Sequence, residues 1–412
     1  MLERHLSSPV TRRRLRSGPA AEHMDGFADW LSRHRYRPRT IADRLRSLAS
    51  WTEWMHARGF SVGDARPGLT ACRAQFEKGP RVRCYREVNR QSLVAAAVFI
   101  RFLEERGVLT PPVPAPSPSD RWPLLGAFGA WMRQHRGLTE TTLDVYQGIL
   151  VGLLDALGDD PGRYTAEALR AWVCERARRH GVERAKSIVV AVRAFLRYLG
   201  ATGQRPAGME HAIPRFASWR LSSVPRFLVP QDVERVIASC AGHKHGHRDR
   251  AVILLLARLG LRAGEVARLR FADIDWGNGR IAVCGKGRRE EWLPLPQEVG
   301  TALLCYVQQG RPPLNVPEVF TTVVAPCRPL SRASVTHIVR SALSRAGIRA
   351  PINGAHVLRH SAATAMLRQG ASLASVGAVL RHRSLSTTAH YAKVDFALLS
   401  EIAQPWPGRV SC

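Results

Sequence analysis

Apolar positions recur along the first part of the chain at steps of one, three and four, the spacing of one helical face. From Met24 onward Phe27, Trp30 and Leu31, then Leu45, Leu48, Trp51 and Trp54, follow this pattern. It predicts helices there and a further apolar helix from about Ser92 to Glu105. The run Pro111-Pro112-Val113-Pro114-Ala115-Pro116-Ser117-Pro118 removes backbone donors and restricts φ, so it predicts an extended spacer. Beyond it the pattern returns. Phe128, Trp131 and His135-Arg136 echo Phe27, Trp30 and His34-Arg35. Ala194-Phe195-Leu196-Arg197-Tyr198-Leu199 echoes Val98-Phe99-Ile100-Arg101-Phe102-Leu103. These echoes predict two related helical units, 24–110 and 120–202, separated by a Pro-rich linker at 111–119. Two copies are too few for a solenoid and suggest paired lobes that grip something extended.

The pattern changes after a Gly-, Pro-, Arg- and Ser-rich stretch, 203–225, read as a second linker. From Arg226 helical spacing (Val233, Val236, Ile237, then Ile253 to Leu256) gives way to a β-hairpin at Arg280 to Leu295, turning at Gly285-Lys286-Gly287. Helices resume at Ser331 and persist to about Leu399. Residues 226–395 are therefore expected to be an α+β domain. The whole is expected to be mainly α with a small antiparallel sheet. Residues 1–23, with Arg12-Arg13-Arg14 and Arg16 among Ser and Pro, read as a mobile basic tail. In the C-terminal tail, 396–412, Phe396, Leu398, Leu399, Ile402 and Trp406 are apolar enough to dock on their own domain or on a neighbouring protomer.

Charge sharpens this picture. Across 412 residues, Lys+Arg 61 against Asp+Glu 33 gives a formal net charge of +28, and only five of those cations are lysines. Such a surplus attracts polyanions, nucleic acid before acidic membrane, and the arginine preference suits forked contacts to phosphate. The longest clearly apolar run, Ala251 to Ala257, is far short of the ~20 residues that span a bilayer. Neither a secretory h-region nor a CxxC pair is visible among the eight cysteines, so a cytoplasmic protein with reduced thiols is expected.

The common catalytic signatures are missing: no HExxH, GxSxG or GxGxxG occurs, and Gly285-Lys286-Gly287 lacks the spacing of a P-loop. His243, His245 and His247 alternate, but without a Cys or carboxylate cluster they read as a basic loop rather than a metal site. A different set stands out. Leu259-Gly260-Leu261-Arg262-Ala263-Gly264-Glu265 closes an apolar helix, and His356-Val357-Leu358-Arg359-His360 puts His356, Arg359 and His360 on one helical face. Leu380-Arg381-His382 and Thr387-Thr388-Ala389-His390-Tyr391 follow.

In this order the set resembles the tyrosine recombinase (phage integrase) family, over about Leu228 to Val394 and more loosely over 120–202, which looks like the family's core-binding domain. The resemblance implies a catalytic domain at 226–395 with Arg262, Lys286, His356, Arg359, His382 and Tyr391 in the active site. The glycine common before the fifth of these positions is Arg381 here. By this likeness Arg262 and Arg359 hold the non-bridging oxygens of a DNA phosphodiester, Tyr391 is the nucleophile and His356 its base. Lys286 protonates the leaving 5′ oxygen, and His382 donates a hydrogen bond. His360 is expected to pack or cap. A 3′-phosphotyrosine link, rejoining without ATP, metal or other cofactor, and a homo-tetramer on double-stranded DNA (or a hetero-tetramer with related recombinases) are also implied, with no membrane partner. Integration or transposition of a mobile element is the preferred role. Candidate phosphate contacts are Arg37 and Arg39 in the first unit and Lys186 and Arg193 in the second. A type IB-like topoisomerase and a cleavage-deficient, sequence-specific DNA-binding protein remain open.

Overall fold

The computed structural model describes residues 1–78, 88–112, 116–216, 225–285, 290–382 and 388–394. The chain divides into two compact units, one formed by Met1–Thr110 together with Ser223–Cys412, the other by Pro111–Ser222. The class is mainly helical with one three-stranded antiparallel sheet. None of the described helices is long and apolar enough to cross a membrane.

In the N-terminal region, helices Met24–Arg33, Pro38–His56, Ala65–Lys78 and Arg90–Glu105 pack around Phe27, Trp51, Phe99 and Leu103. The last of these helices starts where the Asn89 side chain accepts from the Gln91 and Ser92 amides at 2.8 and 3.0 Å, satisfying donors that a helix start leaves free. The expected basic tail is a folded part of this region. Leu2–His5 and Pro9–Ser17 are helical, and Leu2, Leu6 and Leu15 are buried in the same core while Arg13 and Arg16 face water. Arg13 and Arg16 lie on the solvated side of an amphipathic segment, Arg14 pairs with Glu53, and three leucines anchor the other side.

The unit Pro111–Ser222 is built on Pro123–Arg136, Glu140–Leu157, Ala166–Arg178 and Val182–Ala201 around Leu125, Phe128, Leu153 and Phe195. Both expected linkers are partly structured. A capping box between Ser117 and Asp120 starts a short helix, Pro118–Arg121, and Ile213 is buried in this unit's core with Met209 and Phe216 against it. Residues 113–115 and 217–224 lie outside the described residues.

The C-terminal region centres on Gly246–Arg258, whose Val252, Leu254 and Leu256 are wholly buried, surrounded by Pro230–Ala238, Gln297–Cys305, Arg332–Arg345 and His356–Arg368. Strands β1 (Ile274–Asp275), β2 (Arg280–Cys284) and β3 (Glu290–Pro294) form the sheet in that order, with Ile281 opposite Leu293 and Cys284 opposite Glu290. The hairpin expected at 280–295 is thus present, but Lys286 in its turn lies outside the described residues, as does the tail with Phe396, Leu398, Leu399, Ile402 and Trp406.

Candidate active site

The site begins where helix Gly246–Arg258 ends. Gly260 has φ +59, and a Cβ there would stand 2.6 Å from a Leu380 methyl, so glycine is required both for the turn and for the close approach of the Leu380 segment. Two residues on, Arg262 caps helix Ala263–Arg268, and Glu265 in its first turn reaches back. One carboxylate oxygen accepts from the Arg262 amide at 2.8 Å and the other from its guanidinium at 2.6 Å. Arg262 remains partly exposed and has donors to spare for an anion.

Arg359, on helix His356–Arg368, is buried and donates to the carbonyls of Gly260 and Leu380, clasping the two turns together. Burial, then repulsion from Arg262, lowers its pKa to about 10, which leaves it cationic at neutral pH. Arg381 follows Leu380 with φ +54, a left-handed conformation that costs a non-glycine residue roughly 1–2 kcal/mol. Its side chain is only 2% exposed and pairs with Glu265 at 2.8 Å. Burial pushes the Glu265 carboxyl up, but Arg381 and then Arg262 hold it below the usual range. Glu265 therefore serves two guanidiniums and one backbone amide. The sequence departure at Arg381 is a buried strut.

The tyrosine closes the site. Tyr391 is 3% exposed, and burial raises its hydroxyl to about 12 against the pull of Arg359. Its oxygen lies 2.7 Å from His360 Nδ1, and its ring lies parallel to that of His382, with centroids 6.3 Å apart. His382 Nδ1 is 2.9 Å from the buried Thr388 hydroxyl. If that hydroxyl donates, the neutral His382 carries its proton on Nε2 as a donor. Burial, then Arg359 and Arg262, lowers His382 to about 4. Burial, then His356, His390 and Arg359, lowers His360 to about 4. His356 is exposed on the first turn of its helix, its ring 5.9 Å from that of His360, and desolvation followed by Arg359, Arg332 and Arg262 lowers its pKa.

Arg262, Arg359, His382 and Tyr391 thus converge, with His356 at the rim. The sequence reading assigned the hydroxyl to His356 and a packing role to His360; the hydrogen bond is to His360. The signal was the shared face of residues 356, 359 and 360, which does not say which histidine meets a segment some thirty residues away. Thr388 and Arg381 stand within the motif, but only the fold supplies their partners, His382 and Glu265. Among the four candidate DNA contacts, Arg37 and Arg39 are exposed, Lys186 pairs with Glu183, and Arg193 donates to the Ile213 carbonyl at 2.5 Å.

Residues 226–397 match the model of the phage integrase family. The Sinorhizobium fredii protein y4rA, named as an integrase/recombinase, is 35% identical over 95% of this chain and 95% of its own. The tyrosine recombinase XerD of Listeria monocytogenes is 30% identical over 68% of this chain and 96% of its own. Among solved structures, XerH recombinase in a post-cleavage complex with palindromic difH substrate has a similar fold, with TM-score 0.55 and 18% identity, covering 88% of this chain and 97% of that one. Lambda integrase (75–356), as a dimer bound to a COC′ core site, has TM-score 0.53 and 18% identity over 70% and 99% of the two chains. The chain belongs to the phage integrase, or tyrosine recombinase, family of site-specific DNA recombinases.

Proposed function

We propose that this protein cleaves and rejoins double-stranded DNA at a defined site through a 3′-phosphotyrosine link on Tyr391, in the service of a mobile element. The observation that carries this reading is the meeting of the Tyr391 hydroxyl with a histidine inside a buried site that holds the Arg359 cation. As Tyr391 attacks phosphorus, charge grows on the non-bridging oxygens. Arg262 and Arg359 are preorganised by Glu265 and by the Gly260 and Leu380 carbonyls to receive it. His382 adds a hydrogen bond from Nε2. The Oη–P bond forms, the P–O5′ bond breaks, and the 5′ oxygen leaves with a proton assigned to Lys286. The ester conserves the bond energy, so a new 5′ hydroxyl rejoins the strand without ATP.

Arg37, Arg39, Lys186 and Arg193 are proposed to meet phosphates, which predicts affinity that falls steeply with salt. XerH is solved on DNA, and lambda integrase as a tetramer bound to a Holliday junction, which supports a tetramer of this chain on its site. The test is incubation with nicked duplexes tiled across the DNA flanking the gene, in EDTA and without nucleotide. A denaturant-resistant protein–DNA adduct is expected with the wild type and none with Tyr391→Phe. Absence of any adduct, or its persistence in Tyr391→Phe, overturns the reading. Relaxation of supercoiled plasmid lacking the site favours the topoisomerase alternative, and site binding without an adduct favours the cleavage-deficient one.

A further inference from the structure

We infer that His360, rather than His356, takes the proton of Tyr391 as its oxygen attacks phosphorus. The inference rests on the function proposed above and supplies a catalytic residue for it. Tyr391 is almost wholly out of water, so the proton must pass to a protein group, and the hydroxyl has one described side-chain partner, His360 Nδ1 at 2.7 Å. That is the distance general-base transfer requires. With the imidazole neutral and its hydrogen on Nε2, Nδ1 offers a lone pair to the phenol.

His360 is held neutral by burial and by the groups that face it: His356 and Arg359 from its own helix, and His390 from the segment carrying the tyrosine. It stands ready to accept but is a weak base, chiefly because it is buried. A phosphate entering against Arg359 offsets only the smallest of these causes, so the proton passes in step with formation of the Oη–P bond rather than ahead of it. His356 lacks this placement. It sits at the exposed rim, its ring 5.9 Å from that of His360, and among the described residues no hydrogen bond joins it to Tyr391. In the forward step the phenolic proton moves to Nδ1 as the Oη–P bond forms and the 5′ oxygen departs. In rejoining, the 5′ hydroxyl forms the P–O5′ bond and passes its proton to Lys286, the Oη–P bond breaks, and His360 returns the proton to Tyr391.

The experiment uses the full-length protein and the nicked duplex that the wild type traps, in single turnover from pH 5.5 to 9. A second duplex carries sulfur in place of the 5′ bridging oxygen, a leaving group that needs no proton. His360→Gln keeps an acceptor near the hydroxyl but cannot take its proton. It is expected to slow adduct formation by about 10²–10⁴-fold on both duplexes, with DNA affinity unchanged, while His356→Gln loses less. Wild-type rates in His360→Gln overturn the inference. So does a defect that disappears on the sulfur duplex, which marks a role at the leaving group, or faster cleavage, which marks the contact as a resting latch. Should His360→Gln fail to fold, His360→Ala with added imidazole decides: a restored rate supports the inference and an unrestored one overturns it. A wild type without adduct, or an adduct that survives Tyr391→Phe, removes instead the parent reading.

Discussion

Phe128, in the unit Pro111–Ser222, and Glu265, beside the candidate site, are both withdrawn from water, but opposite kinds of partner stabilise them. Phe128 meets Phe195 edge-on with centroids 5.5 Å apart and Tyr198 at 5.6 Å, and the N-terminal unit repeats the arrangement with Phe27, Phe99 at 5.1 Å and Phe102 at 5.4 Å. Such contacts gain mainly by excluding water, with a smaller preference for edge-on or tilted rings, so the same knot forms twice from two divergent stretches. Glu265 instead has specific donors: Arg262 three residues away and Arg381 more than a hundred residues away. A buried charge needs each of its partners, and one missing partner leaves an uncompensated group. The aromatic knots therefore tolerate sequence drift, and the ionic knot is intolerant but places guanidiniums for chemistry.

The largest effect expected from this contrast is that of Glu265→Ala, which strands Arg381 in the interior. Urea unfolding should show a loss of about 3–5 kcal/mol, and adduct formation should fall with it. Phe195→Ala should lose a similar ~3–5 kcal/mol by opening a cavity, yet leave the pH profile of the folded fraction's cleavage unchanged. If that profile moves as well, the two knots are not independent. For Arg381→Gly, relief of the left-handed backbone partly offsets the lost ion pair, so a net loss of about 2 kcal/mol is expected by the same unfolding assay. A gain in stability would mean that Glu265 needs only Arg262.

Acid should act on the site and spare the aromatic knots. His360 and His382 titrate near 4 in the folded protein against 6.5 ordinarily. The unfolded chain therefore binds their protons first, and their contribution is complete above pH 6.5 and lost as pH falls from 6.5 toward 4. The thermal midpoint should decline across that window, and less so in a His360→Gln, His382→Gln double variant. The smallest effect belongs to the end of helix Met24–Arg33. Arg35 holds φ +60 there, whereas glycine takes the left-handed position, φ +56, after Pro123–Arg136. Arg35→Gly should raise stability by up to ~1 kcal/mol, read as a higher thermal midpoint.

Much of the fold was legible because burial imposes a period. Phe27, Trp30 and Leu31 are spaced as one helical face must be, and Ile281 opposite Leu293 follows the alternation of a hairpin. The N-terminal segment reads as a tail because arginines dominate it, while the leucines that fold it are few and distant from one another. In the site, the order of Arg262, Arg359, His382 and Tyr391 was recognisable as a motif. The division of labour between His356 and His360 was not, since residues four apart share a helical face and only the approach of a remote segment selects one.

The amino-acid order alone thus decided where most of the core helices and the hairpin run, which of their faces are apolar, that a second helical unit follows the first, and that the chain would attract a polyanion. These follow from local stereochemistry, from the repulsion of apolar surface by water and from summed charge. Only the tertiary structure decided that Arg381 spans the interior to Glu265, that Arg359 ties the Gly260 turn to Leu380, and that Tyr391 meets His360. Those partners are held together by directional hydrogen bonds and charge pairs, whose energies depend on distances that no local pattern encodes.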